Sequence, residues 1–243
     1  MLIDFIDKLE RHPLSRRFVS RGVMSRRSIG GAPVPRLLIS NGIHASTPST
    51  GSAAGLVNGA PKTTPLWQKK PAIVIIARQH PGEIQGSWMC SGMIRFLVGP
   101  TGHANALRDR FCFHVIPQVN VDGVMFGNTR CTLAGIDPNR HWHDPNPILH
   151  PVIHCVKEYI IDLSKTGDIS MFLDLHGHAI RPYAFFYGCN PADPRNALLP
   201  KIASMLSSDI SFESCRWKFG RAHNKTARVV AHTQAKVPNS FTI

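Results

Sequence analysis

Long apolar runs are missing from this 243-residue chain: none approaches the roughly 20 residues that a bilayer-spanning helix requires. The first residues, MLIDFIDKLERH, lack the continuous apolar core of a signal peptide, because Asp4, Asp7 and Glu10 interrupt them. Together these absences make a soluble, cytoplasmic protein without a membrane partner the expectation. Paired cysteines are lacking too. Cys90, Cys112, Cys131, Cys155, Cys189 and Cys215 occur without a CxxC spacing, which argues against a zinc ribbon or a thioredoxin-type motif. Several lie beside apolar residues, where a free Cys behaves as a small buried hydrophobe, and reduced thiols are expected. Acids are scarce, with 15 Asp and Glu against 28 Lys and Arg, a net charge of +13. The first 70 residues hold eleven of the bases and three of the acids, so +8 of the excess lies there. Such a balance favours acidic partners. No nucleic-acid-binding signature accompanies it, so an acidic peptide is the expected partner rather than nucleic acid. The acid-free stretch 11–27 shares its Arg and Ser content with mitochondrial presequences, but a basic surface on folded structure is the simpler reading.

Leu2, Ile3, Phe5, Ile6 and Leu9 fall at helical spacing and predict a short amphipathic helix. Two β-prone runs, Phe18–Met24 and Pro33–Ser40, flank Gly30 and Gly31 and predict a strand pair. From residue 44 to 70 the composition turns to Ser, Thr, Gly, Ala and Pro, which predicts a flexible insertion. The run Ala72–Ala77 reads as a buried strand, and a helix is predicted over Ile84–Val98 with Trp88, Met89, Met93 and Phe96 on its inner face. Phe111–Ile116 is a further strand. It opens into an Asn-, Gly- and Pro-rich passage over 117–147 without periodicity, and an irregular stretch of that length is usually functional. Ile148, Val152, Val156 and Ile160 mark a helix, Ser170–Leu175 and Tyr183–Tyr187 strands, and Asn196–Leu206 a helix. Alternation of strands and helices predicts an α/β fold, a mixed and mostly parallel sheet sandwiched by helices, in one domain over 1–243.

Two segments at predicted strand exits carry metal-ligating side chains. His80 and Glu83 share one HxxE turn in ARQHPGEIQGSW, and His176 follows the strand in MFLDLHGH, with His178 a competing candidate. Two imidazoles and a carboxylate, leaving one open position, form the donor set of a catalytic zinc site. Asp174 or the nearby backbone is placed to orient an imidazole. Open α/β sheets bind ligands beyond the carboxyl ends of their strands, which is where both segments lie.

The motifs HPGE, VNVDGV, GNTRCTLAGIDPNRHW, DLHGH and TARVV followed by NSFTI make the chain resemble the M14 zinc carboxypeptidases. The likeness is closest to their cytosolic carboxypeptidase branch, which trims glutamates from acidic protein tails, and it runs from about Leu2 to the end. It implies a zinc carboxypeptidase-like fold, one Zn²⁺ per chain on His80, Glu83 and His176, and Arg130 on the scissile carbonyl oxygen. It further implies Asn139 and Arg140 on the substrate's terminal carboxylate, and Arg228, reinforced by Lys225 and Arg221, selecting an acidic side chain. The chemistry suits these roles, since a guanidinium binds a carboxylate bidentately where Lys is only a point charge. The implied substrate is an acidic polypeptide tail, tubulin being family-typical, with an association with the cytoskeleton. The family's general-base glutamate follows a segment like NSFTI by one position, which puts it just after Ile243. Neither Glu213 nor Glu158 lies in a matching motif. A catalytic domain incomplete at its C-terminus is therefore expected, as is the lack of the branch's β-rich region before Leu2. Two other readings stand beside this one. A zinc amidohydrolase of the aspartoacylase type acts on N-acyl amino acids and shares the HxxE pair, the Asn-Arg clamp and the later His. The other is an inactive module that binds zinc and acidic tails.

Overall fold

The computed structural model describes residues 2–13, 15–44, 66–190, 192–220 and 223–243. Six strands build one sheet: β1 (Val19–Val23), β2 (Pro35–Ile39), β3 (Ala72–Ala77), β4 (Cys112–Ile116), β5 (Ile169–Leu175) and β6 (Asn239–Thr242). Their spatial order is β1-β2-β4-β3-β5-β6. The β1–β2 and β2–β4 pairs are antiparallel, while β3–β4, β3–β5 and β5–β6 are parallel. This is the mixed, mostly parallel sheet that the alternating pattern predicts.

Period-two alternation sends the strand side chains to two separate cores. On one face Val74, Ile76, Ile116 and Phe172 pack against α5 (Pro151–Thr166) and α7 (Ala227–Thr233). On the other Ile75, Ala77, Val115, Leu173 and Leu175 pack against α1 (Leu2–Arg11) and α2 (Ile84–Val98). Strand β3 feeds both cores, so its sequence is apolar without a break. All six cysteines are free, and five of them are buried.

Three expectations need correction, and one helix was not anticipated. The inner face of α2 is Gly86, Ser87, Cys90, Ile94 and Leu97; Trp88 is 58% and Phe96 47% exposed, and only Met89 and Met93 pack partly inward. The cause is the close seating of the helix on β5, where a Cβ on Gly86 would stand 2.7 Å from the Leu175 carbonyl oxygen. Such an approach admits small side chains and turns a tryptophan outward. Ile148 is 81% exposed and precedes α5, which starts at Pro151, a residue whose missing N–H costs nothing at a first helical position. Tyr183–Tyr187 is not a strand, because its residues make single bridges to Ile210, Arg216 and Thr242 and no continuous ladder. Finally, α3 (Gly102–Arg110) escapes the periodicity because little apolar surface marks it. It is held by its cap, where the Thr101 hydroxyl accepts from the Ala104 N–H, and by buried Arg108, whose guanidinium donates to the Leu97 and Gly99 carbonyls.

The irregular passage 117–147 contains α4 (Val121–Phe126) and a 3₁₀ turn over Pro138–Arg140. The insertion expected over 44–70 lies for the most part outside the described residues. Its end is anchored: Lys70 Nζ donates to Ser40 Oγ, the Asn41 carbonyl and the Arg108 carbonyl at 2.7–3.0 Å. The last described element before α7 is α6 (Leu198–Leu206), entered through a 3₁₀ turn at Pro194–Ala197.

Strand β4 carries a buried histidine, His114, whose Nδ1 lies 2.6 Å from the Tyr159 hydroxyl. Burial, reinforced by the Arg36 charge, pushes its pKa down from 6.5 to about 4. Between those two values the unfolded chain binds a proton that the folded chain refuses. Stability should therefore fall as the pH drops through this window, by up to about 3 kcal/mol at its acid end. A His114→Gln variant should show a shallower decline of Tm from pH 6.5 to 4 than the parent; superimposable pH profiles would remove His114 from the acid sensitivity.

Candidate metal centre

The centre forms where β3 and β5 end side by side. Arg78, the residue after β3, sits in the left-handed region at φ 56, an uncommon conformation for a side chain branched from Cβ or longer. Its guanidinium holds the turn, donating to Ser87 Oγ at 2.7 Å and to the Pro81 carbonyl at 2.6 Å. Gly82 is needed next, because its N–H donates to the Thr129 carbonyl at 2.7 Å and a Cβ would stand 2.8 Å from that same oxygen. The turn thus places His80 and Glu83 on one side, and α2 begins at Ile84. His176 comes one residue after β5, its N–H donating to the Ile243 carbonyl at 2.8 Å.

His80 Nδ1 lies 2.7 Å from Glu83 Oε1, His176 Nδ1 lies 2.8 Å from Glu83 Oε2, and the two Nδ1 atoms are 3.1 Å apart. Each imidazole turns its other nitrogen to a carboxylate: His80 Nε2 to Asp137 Oδ1 at 2.9 Å and His176 Nε2 to Asp174 Oδ2 at 2.9 Å. With each Nε2–H donating to its aspartate, a neutral imidazole at either position turns its Nδ1 lone pair toward the other ring and the Glu83 oxygens. The ligand atoms of His80, Glu83 and His176 all lie within 4.8 Å of one another, a crowding of electron pairs that a bound cation would relieve. Two nitrogens and a carboxylate match the ligand preference of zinc, and these residues form the one such cluster among the described residues.

Titration behaviour follows the same field. Burial works against charge on His176, yet Asp174 and Glu83 push its pKa up to about 10. His80 is raised as well, burial being outweighed by hydrogen bonds to Asp137 and Glu83. Burial opposes ionisation of Glu83 and Asp137, but the histidines, and for Asp137 also Arg130, hold both carboxyls well below the usual range.

Around this cluster opens a cleft of about 670 Å³. Arg130, Arg140, Arg216, Lys218 and Arg228 line it, and Glu83 is the one acid among the described lining residues. Arg130 is half exposed, donates through Nε and Nη2 to Asp137 Oδ2 at 2.9 and 2.6 Å, and keeps Nη1 3.6 Å from Glu83. Buried Asn139 accepts from the Ala227 N–H at 2.8 Å, and its Nδ2 lies 3.4 Å from Asp174 Oδ2. Arg140 is open to the cleft, with Nη1 donating to the Asn139 carbonyl at 2.9 Å. Arg228 belongs to the first turn of α7, is 5% exposed, donates to the Gly188 carbonyl at 3.3 Å and lies over the Tyr187 ring. All seven anticipated site residues therefore meet in one cleft.

His178 is not in the cluster: it is exposed, and its Nδ1 accepts from the Ile180 and Arg181 N–H groups. Lys225 is exposed and absent from the described cleft lining, and Arg221 lies outside the described residues. Three contributors escape sequence reasoning. Asp137 faces His80, two residues before Asn139. Arg216 and Lys218 flank Trp217, which packs against Gly188 so closely that a Cβ there would meet the indole at 2.7 Å. Their i, i+2 spacing is the available signal, readable only once the segment is known to be extended.

Comparison with known proteins agrees with this geometry. The model of the zinc carboxypeptidase family, Peptidase_M14, matches residues 27–237. Cytosolic carboxypeptidase 1 of Danio rerio is 35% identical over 195 residues, which is 73% of this chain and 17% of that protein. Cytosolic carboxypeptidase 4 of Mus musculus is 33% identical over 260 aligned positions, covering 100% of this chain and 22% of its own length. The chain thus spans about a fifth of the curated relatives it matches. A solved metallo-carboxypeptidase from Burkholderia cenocepacia superposes with a TM-score of 0.73 at 27% identity, covering 98% of this chain and 57% of that one. With the converging acceptors inside a match that takes in most of its length, the chain belongs to the zinc carboxypeptidase family.

Proposed function

We propose that this chain carries the metal centre and substrate cleft of a metallocarboxypeptidase, with one zinc ion on His80, Glu83 and His176, acting on the acidic C-terminal tails of proteins. The observation that carries the reading is the convergence of three ligating side chains on the floor of a cleft that holds five cationic side chains and one acid. A zinc ion bound there supplies Lewis acidity for a scissile carbonyl and for an attacking water.

The chain's own residues supply the rest. Asp137 and Asp174 fix the tautomer of each imidazole, so that both Nδ1 atoms remain ligands. Arg130 can turn Nη1 from beside Glu83 toward a carbonyl oxygen that gains charge, a contact for which loss of one donor typically costs about 3 to 4 kcal/mol. The planar fork of Arg140 receives the terminal carboxylate beside Asn139. Buried Arg228 lies deeper and selects an acidic side chain, since burial lowers its pKa and makes an anionic partner the more valuable. Strand β6 brings Ile243 into backbone contact with both Asp174 and His176. The family resemblance puts the general-base glutamate one position after Ile243, next to this backbone contact. Names of the relatives support a cytoplasmic setting, and tubulin tails are the first acidic substrate to try.

Metal analysis of the purified chain should give one zinc per chain, reduced below a tenth in His80→Ala or His176→Ala; full zinc content in both variants would place the metal elsewhere. A peptide ending in Glu should bind at least tenfold more tightly than its Leu-ending counterpart, and Arg228→Gln should abolish most of that difference. Equal binding of the two peptides by the parent chain would refute acidic selectivity. Appending a glutamate after Ile243 should raise peptide hydrolysis by 10² or more over a chain with glutamine appended, and equal rates would exclude a base at that position.

A further inference from the structure

Gln79 precedes the ligand His80, is completely buried, and has no part in the roles above. Both ends of its amide are engaged. Nε2 donates to both oxygens of Asp174 at 2.8 Å, and Oε1 accepts from Trp142 Nε1 at 2.7 Å. The indole fixes which way the amide points, because a tryptophan N–H can only donate and so must face Oε1. The Gln79 backbone is pinned as well, its carbonyl accepting from Asn120 Nδ2 at 3.1 Å. Asp174, also completely buried, is the carboxylate that takes His176 Nε2. Gln79 therefore rides on the turn that carries one imidazole and grips the carboxylate that orients the other.

We propose that Gln79, its amide set by Trp142, is a positioning residue for the metal centre: it locks Asp174, and through it His176, relative to the turn carrying His80, so that the two imidazoles are aligned before a metal binds. This rests on the reading of His80, Glu83 and His176 as zinc ligands. A lone carboxylate on β5 could rotate and present either oxygen, or neither, to His176. The Gln79 Nε2, 2.8 Å from both carboxylate oxygens, restrains that rotation, and the Trp142 bond removes the freedom of the amide to flip. Preorganisation of this kind raises affinity by lowering the ordering cost at binding.

Zinc affinity, the absorption spectrum of the cobalt-substituted protein, and the Tm of the metal-free protein separate this role from a purely structural one. Gln79→Leu, close in volume but without donors, should weaken zinc binding 10- to 100-fold and shift the cobalt bands. Trp142→Phe keeps an aromatic ring and removes only the N–H; it should weaken zinc binding several-fold with the metal-free Tm nearly unchanged. If both variants lower the Tm while zinc affinity and cobalt spectrum match the parent, the inference is overturned and the zinc assignment stands. Failure of the parent itself to bind zinc overturns both.

Discussion

A single buried anion organises this molecule. Asp174 lies at the end of β5 with no exposure to water, and an unpaired carboxylate in that position would cost several kcal/mol. Its compensation comes from two sequence-distant amides, Gln79 and Asn139, and from the neighbouring His176 imidazole. The exit of β3, the irregular passage before Arg140 and the exit of β5 must all arrive together to satisfy one side chain. Because a half-satisfied polar network is costlier than an apolar core, the arrangement is close to all-or-none. The metal cluster is a consequence, since His80 and His176 are carried by the same segments.

The passage 117–147 shows how an irregular chain becomes rigid. Its backbone has no ladder to join, and side-chain amides take over. Asn120 bonds the Gln79 and Cys131 carbonyls, Asn128 bonds the Cys131 carbonyl, and the Asp137 carboxylate accepts the Asn139 N–H. Asp122 in α4 reaches back to the β1–β2 hairpin, accepting from Ser28 Oγ and the Gly30 N–H. The abundance of Asn, Asp and Gly that makes the passage look unstructured is what holds it. Positively charged side chains then line the cleft by default, because the few acids nearby are committed to the imidazoles and to Arg130.

Strand β3 and helix α2 were legible to the residue, since an unbroken apolar hexamer and a long helical run leave little choice. The inner face of α2 was not, because hydrophobicity points to Trp88 and Phe96 whereas contact distance to Leu175 selects Gly86 and Cys90. Helix α3 was hidden for the converse reason: a cap and an arginine stabilise it, and neither leaves a periodic trace. Tyr183–Tyr187 has the composition of a strand, but composition cannot supply a neighbour in register.

At the site, residue types and local spacing alone pointed to the donor chemistry: an HxxE turn at His80 and Glu83, and a histidine, His176 or His178, after a strand, each at a carboxyl end. Motif resemblance added Arg130, Asn139, Arg140 and Arg228. Only the tertiary structure decided between His176 and His178, paired Asp137 with His80, and joined Gln79 to Trp142 and Asp174. Spacing along the chain reports which side chains share a turn or a face, because those distances are set by backbone geometry. Which distant groups share a proton or a charge depends on how separate strand ends are brought together, and no local pattern encodes that distance.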